Sequence, residues 1–206
     1  MTSSRMCLAQ HADADQLLDR DPLALLVGML LDQQIPMEKA FFGPYLLAGR
    51  MGVTTLDADH IAGYEPDAFA KLFAGPPAIH RFPAAMAGRV QVLAGRVVAE
   101  YGGDAETVWR DVTTAKQVLA RLTALPGFGP QKAKIFLALL GKQRGVRPRG
   151  WRDVTDPYGV AGSYRSVADV TDAESLAKVR ATKKEAKQQA QQEQPGPATR
   201  RRPRAS

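Results

Sequence analysis

The chain has 206 residues, of which 45% are hydrophobic and 24% charged, and its formal net charge is +7. This composition excludes a fibrous or wholly disordered chain. No apolar run approaches the length of about 18 residues that a membrane span needs, and the N-terminus lacks a signal-peptide pattern. The single cysteine, Cys7, excludes an internal disulfide and an iron–sulfur cluster held by four cysteines of one chain. We therefore expect a cytoplasmic, monomeric protein with no membrane partner.

Two helices are predicted after an N-terminal segment that comprises residues 1–20. Asp21 is a good N-cap for the first of them. The run 23–31 that follows is apolar nearly all round, which indicates a helix buried in the centre of the protein. A second helix is predicted over residues 35–51, with a break or kink at Pro44.

The helical pattern continues through the middle of the chain. Residues 65–73 form a short predicted helix, and Pro83 begins the longest one, which stops at Gly102. A short turn over residues 104–110 leads to the next pair of helices. Because no convincing alternating strand pattern appears, we predict an all-α fold of roughly eight to ten short helices.

The most informative segment is Leu125–Phe136, which reads LPGFGPQKAKIF. It lies between an amphipathic segment over residues 114–124 and an apolar helical pattern that begins at Pro130. Gly127 and Gly129 can adopt positive φ without a Cβ clash, so a very short turn can join the two helices. The same letters can also be no more than the punctuation of a loop between core helices.

This turn predicts an anion site. The first N–H groups of a helix have no partner within the helix, and the helix dipole adds positive charge there. Lys132 and Lys134 follow directly in the sequence. A phosphate suits this geometry, and such an interaction would read no base identity.

Charge is distributed unevenly along the chain. Residues 178–206 hold 9 basic and 2 acidic residues, and residues 1–177 are neutral in sum. Residues 81–152 hold 13 basic and 4 acidic residues, with no acid at all between Val112 and Arg152. A neutral body with one basic segment is what a single nucleic-acid face requires, although such charges can also simply solvate the surface.

The 125–133 stretch, LPGFGPQKA, resembles the helix-hairpin-helix element of the HhH-GPD superfamily of base-excision DNA glycosylases. A second stretch, LLDQQIPMEKA at residues 30–40, is similar to a Gln-Gln motif in the alkylbase-glycosylase branch of that superfamily. The resemblance covers about residues 21–159. It implies the HhH-GPD helical fold and a double-stranded DNA partner, which carries a damaged base.

The resemblance assigns roles to two glutamines. Gln34 matches the position from which family members insert a side chain into the gap left by a flipped base, and it can equally be an ordinary helix-terminal residue. Gln131 occupies the position where strand-cleaving members carry a Schiff-base lysine. An amide cannot form an imine, and Lys132 is about 100° further round the helix, so we expect no lyase activity.

The resemblance also implies a catalytic carboxylate near the end of the loop that follows the hairpin. By the family's spacing it would fall at residues 149–151, where this chain has no acid. Asp153 is the nearest candidate and Asp156 the next. Either would support the cationic sugar or activate water. Otherwise the protein binds DNA without catalysis.

Few cofactors are expected. The resemblance implies a monovalent cation at the hairpin, held by the backbone carbonyls of Thr123, Leu125 and Phe128. His11, His60 and His80 lack zinc-ligand spacing, so no zinc site is predicted.

The chain therefore divides into the N-terminal segment, an HhH-GPD helical domain over residues 21–177, and a basic tail over residues 178–206. A helix opens at Asp172 and Glu174, and the composition predicts disorder from Gln188 onward, including the RRRPR arm at residues 200–204. The leading interpretation is a base-excision repair protein, a monofunctional DNA N-glycosylase that removes a damaged base. The alternative is a non-catalytic protein that binds DNA structure on the same scaffold.

Overall fold

The computed structural model describes residues 6–192. Within that range the chain is helical and has no β-strand, apart from one isolated bridge between Thr114 and Arg149. The prediction of an all-α fold is confirmed. No helix in this range is long and apolar enough to cross a membrane. The helices are α1 Ala12–Arg20, α2 Pro22–Leu31, α3 Met37–Met51, α4 Ala58–Ala62, α5 Pro66–Ala74, α6 Pro83–Tyr101, α7 Ala115–Ala124, α8 Pro130–Gln143, α9 Trp151–Val154 and α10 Ala173–Gln192, with 3-10 turns at Ala105–Val108 and Val167–Asp169.

Helix α2 is the centre of the core, as its apolar sequence predicts. Every residue from Leu23 to Leu31 is buried. The Asp21 carboxylate caps the helix by accepting the N–H of Ala24 at 2.9 Å, and it also accepts the N–H of Leu56 at 2.7 Å. Helices α1, α3 and α6 all pack against α2.

Helix α3 lies unusually close to α2. A Cβ at Gly28 would lie 2.7 Å from the Phe41 ring, and a Cβ at Gly43 would lie 2.7 Å from Leu31. Small residues at both crossing points let the two backbones approach. The helix continues without a break through Pro44, where the sequence predicts a break or kink.

The N-terminal residues belong to the same core. Helix α1 buries Leu17 and Leu18, and it packs on α2 and α3. The predicted boundary at residue 21 therefore separates two elements that share one hydrophobic core.

Helices α7 and α8 form the pair that the sequence predicts around the turn at residues 125–129, which we call the α7–α8 turn. Thr114 and Gln117 form a capping box at the start of α7, and Pro130 is the first residue of α8. The following segment, predicted as loop, contains the single-turn helix α9. Trp151 of α9 is buried against Gly141 of α8.

Helix α10 corrects the predicted start of disorder. It runs from Ala173 to Gln192, so residues 188–192 are helical rather than disordered. Ala, Gln and Lys are good helix formers, and a helix anchored by buried Leu176 and Val179 can continue without further apolar contacts. The rest of the predicted disordered tail, residues 193–206, lies outside the described residues.

The anchoring of α10 predicts different effects of two truncations. Ending the chain after residue 172 removes Leu176 and Val179 from the core, at a cost of about 1.5–3 kcal/mol for each side chain. We expect a clear fall in the melting temperature. Ending it after residue 187 removes the exposed side chains of Gln188 and Gln189 and the residues that follow them, and should leave thermal unfolding unchanged. Equal melting temperatures for the two truncated proteins would mean that α10 does not stabilise the body.

Candidate functional site

The α7–α8 turn packs directly on the C-terminal end of α2. Gly127 has φ +82°, and a Cβ there would lie 2.2 Å from Cδ1 of Leu30. Glycine is thus required at residue 127 by backbone conformation and by space. Gly129 does not adopt the positive φ that the sequence suggests for both glycines. Its φ is −65°, and no atom lies within 4 Å of its ideal Cβ position. The side of the turn at Gly129 is open.

The turn presents backbone N–H groups at the start of α8. No backbone hydrogen bond in the described range uses the N–H of Gly127, Gly129, Gln131 or Lys132. Free N–H groups at a helix N-terminus can bind an anion. A monovalent cation is expected at the backbone carbonyls of Thr123, Leu125 and Phe128. Among these three, only the Leu125 carbonyl accepts a described backbone hydrogen bond, from the N–H of Phe128 at 3.0 Å. The cation itself stays a prediction.

The Lys132 side chain points toward the end of α2 rather than toward solvent. Its Nζ donates to the backbone carbonyls of Met29 at 2.7 Å and Leu30 at 3.0 Å. These carbonyls end α2 and lack partners within the helix, so the lysine caps α2 from a distant part of the chain. Burial lowers the pKa of the Lys132 amine, and nearby Asp32 opposes that shift.

A cavity of about 500 Å³ opens beside these hydrogen bonds. Its walls come from the end of α2, the start of α8, the segment after α9, and α10. Both sequence stretches that carry the family resemblance therefore reach one cavity. The lining residues are Met29, Asp32, Gln33, Gln34, Gln131, Lys132, Ile135, Pro157, Tyr158, Arg165, Thr182, Lys183 and Ala186.

Gln33 is held rigidly at the rim of this cavity. His80 is buried and accepts the N–H of Phe82 at Nδ1 (3.0 Å), so its Nε2 carries the proton and donates to the Gln33 carbonyl at 2.9 Å. Arg89 donates to the Gln33 side chain at 3.0 Å. No sequence pattern indicates this role of His80, because it depends on a hydrogen bond between residues 47 positions apart.

Gln34 differs from its neighbour in conformation and in exposure. Its φ is +58°, a value that non-glycine residues rarely adopt, and its side chain is exposed at the cavity. Strained residues of this kind often occur at functional sites. Phe82, linked to Gln33 through His80, is also exposed, which is unusual for a large aromatic side chain.

Asp32 is a site residue that the family motifs do not select. It is the C-cap of α2, half-buried, and it lines the cavity. Burial raises the pKa of its carboxyl, while Lys183 and Lys132 lower it and Glu38 raises it further. An acid directly after an all-apolar helix is the one sequence signal that points to it, since the helix dipole disfavours an anion there.

The two candidate acids after the hairpin, Asp153 and Asp156, lie elsewhere. Asp153 and Asp156 are exposed, and neither lines the cavity. The same segment contributes Pro157 and Tyr158 instead. The Tyr158 hydroxyl accepts a hydrogen bond from the Gln131 side chain at 2.8 Å, which joins this segment to the start of α8.

The basic segment at residues 112–152 is less available than its composition suggests. Several of its cations make internal interactions. Lys142 pairs with buried Asp169 at 2.5 Å, Arg144 pairs with Asp19 at 3.6 Å, and Arg121 donates to the Thr107 carbonyl at 2.9 Å. Positive charge at the cavity comes partly from Lys183 of α10, which the composition assigns to a tail.

No known protein family model matches this chain, and no curated protein resembles it closely enough to count as a match.

The contrast between the two glycines of the α7–α8 turn is testable. Gly127→Ala should destabilise the protein by about 2 kcal/mol or more, since a left-handed non-glycine residue costs roughly 1–2 kcal/mol and the clash with Leu30 adds to it. Gly129→Ala is the matched control and should unfold in urea almost as the wild type does. Equal stability of the two variants would mean that the turn does not pack on α2.

Proposed function

We propose that this protein is a monofunctional DNA N-glycosylase of the HhH-GPD type, which removes a damaged base from double-stranded DNA by hydrolysis. The observation that carries the proposal is the shared cavity. The Gln33–Gln34 stretch and the Gln131–Lys132 stretch are about 100 residues apart in sequence, yet both line it. We propose that the protein acts as a cytoplasmic, nucleoid-associated monomer.

Binding of the DNA backbone is supported by the α7–α8 turn. Its unused N–H groups at Gly127, Gly129 and Gln131 suit a phosphate, and the open space at Gly129 permits close approach. Lys134 and Lys183 add positive charge near the turn and the cavity. Interactions of this kind position DNA without reading its sequence.

Extrusion of a base is supported by the exposed residues at the rim. A glycosylase must take its target out of the stack, and side chains that enter the duplex lower the cost of doing so. Gln34 is exposed, has a strained backbone and lines the cavity, and the exposed Phe82 can stack on an unpaired neighbour. The 500 Å³ cavity lies within the range of small-ligand pockets, so a base fits it.

Hydrolysis without strand cleavage is supported by the residues at the start of α8. Gln131 has no nucleophilic amine, and its amide is bonded to Tyr158. Lys132 does reach the cavity, but two of its three N–H groups are held by the α2 carbonyls. A lysine so engaged serves as a fixed positive charge rather than as a nucleophile.

The alternative, a non-catalytic protein that binds DNA structure, is favoured by one observation. Asp153 and Asp156, the acids nearest in sequence to the family's catalytic position, both lie outside the cavity. If a carboxylate from that segment is indispensable, the site can bind a flipped base and cannot release it.

Backbone binding predicts a uniform reduction in affinity. Lys134→Ala and Lys183→Ala should each weaken binding to any duplex sequence, and the slope of log K against log[salt] should fall by about 0.9 for each phosphate interaction removed. Lys71→Ala removes the same charge from an exposed site on α5, remote from the cavity lining, and should change neither quantity. An equal effect of all three substitutions would mean that DNA affinity depends on net charge and not on a binding site near the cavity.

Catalysis predicts a defined set of products. Incubation with duplexes that carry alkylated, deaminated or oxidised bases should release free base and leave an intact strand, cleaved at the abasic site only after alkali. Borohydride should trap no covalent complex. A trapped complex that disappears in the Lys132→Met protein would assign a lyase step to Lys132. Tight binding with no release from any lesion would favour the non-catalytic alternative.

A further inference from the structure

Asp32 is the single carboxylate among the described residues that line the cavity. It stands between the two sequence stretches that meet there, one residue before Gln33 and across from the start of α8. A reaction in the cavity that needs a negative charge can use the Asp32 carboxylate.

Helix α2 carries an acid at each end, and the two acids differ sharply. Asp21, at the N-terminal end, accepts two backbone N–H groups and benefits from the positive end of the helix dipole. Asp32, at the C-terminal end, faces the negative end of the dipole, and no hydrogen bond or ion pair within the described residues engages its carboxylate. The contribution of Asp21 to folding accounts for an acid at the start of α2. No such contribution accounts for an acid at residue 32.

The lysines around Asp32 favour its ionised form against the effect of burial. Lys132 of α8 is fixed against the α2 carbonyls, and Lys183 approaches from α10. Glu38 of α3 acts in the opposite direction. Since neither lysine forms an ion pair with Asp32 in the described structure, the carboxylate stays available to a ligand in the cavity.

We propose that Asp32 is the catalytic carboxylate of this protein, in place of an acid from the loop after the hairpin. This inference rests on the proposed glycosylase function. A partly desolvated anion stabilises positive charge that develops next to it far better than it would in water. In N-glycoside hydrolysis that charge develops on the deoxyribose as the base departs.

The reaction balances with this one group. The C1′–N bond breaks, and its electron pair leaves with the base. The oxygen of a water molecule forms the new bond to C1′, and Asp32 accepts the proton that the water loses. The departing base gains one proton, which Asp32 or solvent returns. The sum is an N-glycoside plus water giving free base and an abasic sugar, with Asp32 regenerated.

The test compares the same Asp→Asn change at three positions. Asp32→Asn should slow base release by about 100-fold or more while DNA affinity is retained. Asp153→Asn, at the acid nearest to the family's catalytic position, and Asp67→Asn, at an exposed acid on α5, should release base at nearly the wild-type rate. Release by Asp32→Asn at the wild-type rate, or a large drop in Asp153→Asn, would overturn the assignment.

Thermal unfolding provides a second readout that a merely structural role would not give. Because folding raises the Asp32 pKa, the ionised carboxylate destabilises the native state at neutral pH, and protonation restores stability as the pH falls. Asp32→Asn should therefore raise the melting temperature at neutral pH, with the advantage shrinking as the solution is acidified toward the carboxyl pKa. A lower melting temperature at neutral pH would make Asp32 a structural residue and overturn the proposal.

The failures are distinguishable. A wild-type protein that releases no base from a broad lesion panel overturns the glycosylase function, and Asp32 as its catalytic group with it. An active wild type with an equally active Asp32→Asn variant overturns only the role of Asp32.

Discussion

The packing of the α7–α8 turn on the end of α2 organises this molecule. Gly127 lies against Leu30, and Lys132 donates to the carbonyls of Met29 and Leu30. These two interactions join segments about 100 residues apart. The lysine provides hydrogen bonds to carbonyls at the C-terminal end of the buried helix α2, and Lys132 and Met29 both line the cavity. Residues from the end of α2 and from the start of α8 both line the cavity.

Several cations of the basic segment at residues 112–152 make interactions within the fold. Lysines and arginines are long enough to reach unsatisfied carbonyls, and in a helical protein the ends of helices supply many of them. Lys132 and Arg121 are used in this way, and Lys142 is paired with buried Asp169. By composition alone these residues count as available charge. In the structure, part of the positive charge at the cavity comes from Lys183 of α10.

Features that depend on neighbours in the chain are the ones that the sequence predicts well. The burial of α2, its capping by Asp21 and the start of α8 at Pro130 follow from local pattern and hold in the structure. The direction of a side chain across a tertiary interface does not follow from such patterns. The inward turn of Lys132, the support of Gln33 by His80 and the position of Asp32 in the cavity are of this second kind.

The register at the start of α8 illustrates how little separates two chemistries. Successive helical residues point about 100° apart, so residues 131 and 132 cannot exchange roles. The side chain at 131 meets Tyr158, and the side chain at 132 meets the end of α2. A lysine at 131 would present a free amine to a ligand in the cavity. The lysine at 132 is instead bound to backbone carbonyls, where its charge balances the negative end of α2 and the carboxylate of Asp32. We infer that shifting the amine by one residue exchanges a nucleophile for electrostatic support, in keeping with the proposed hydrolysis without strand cleavage.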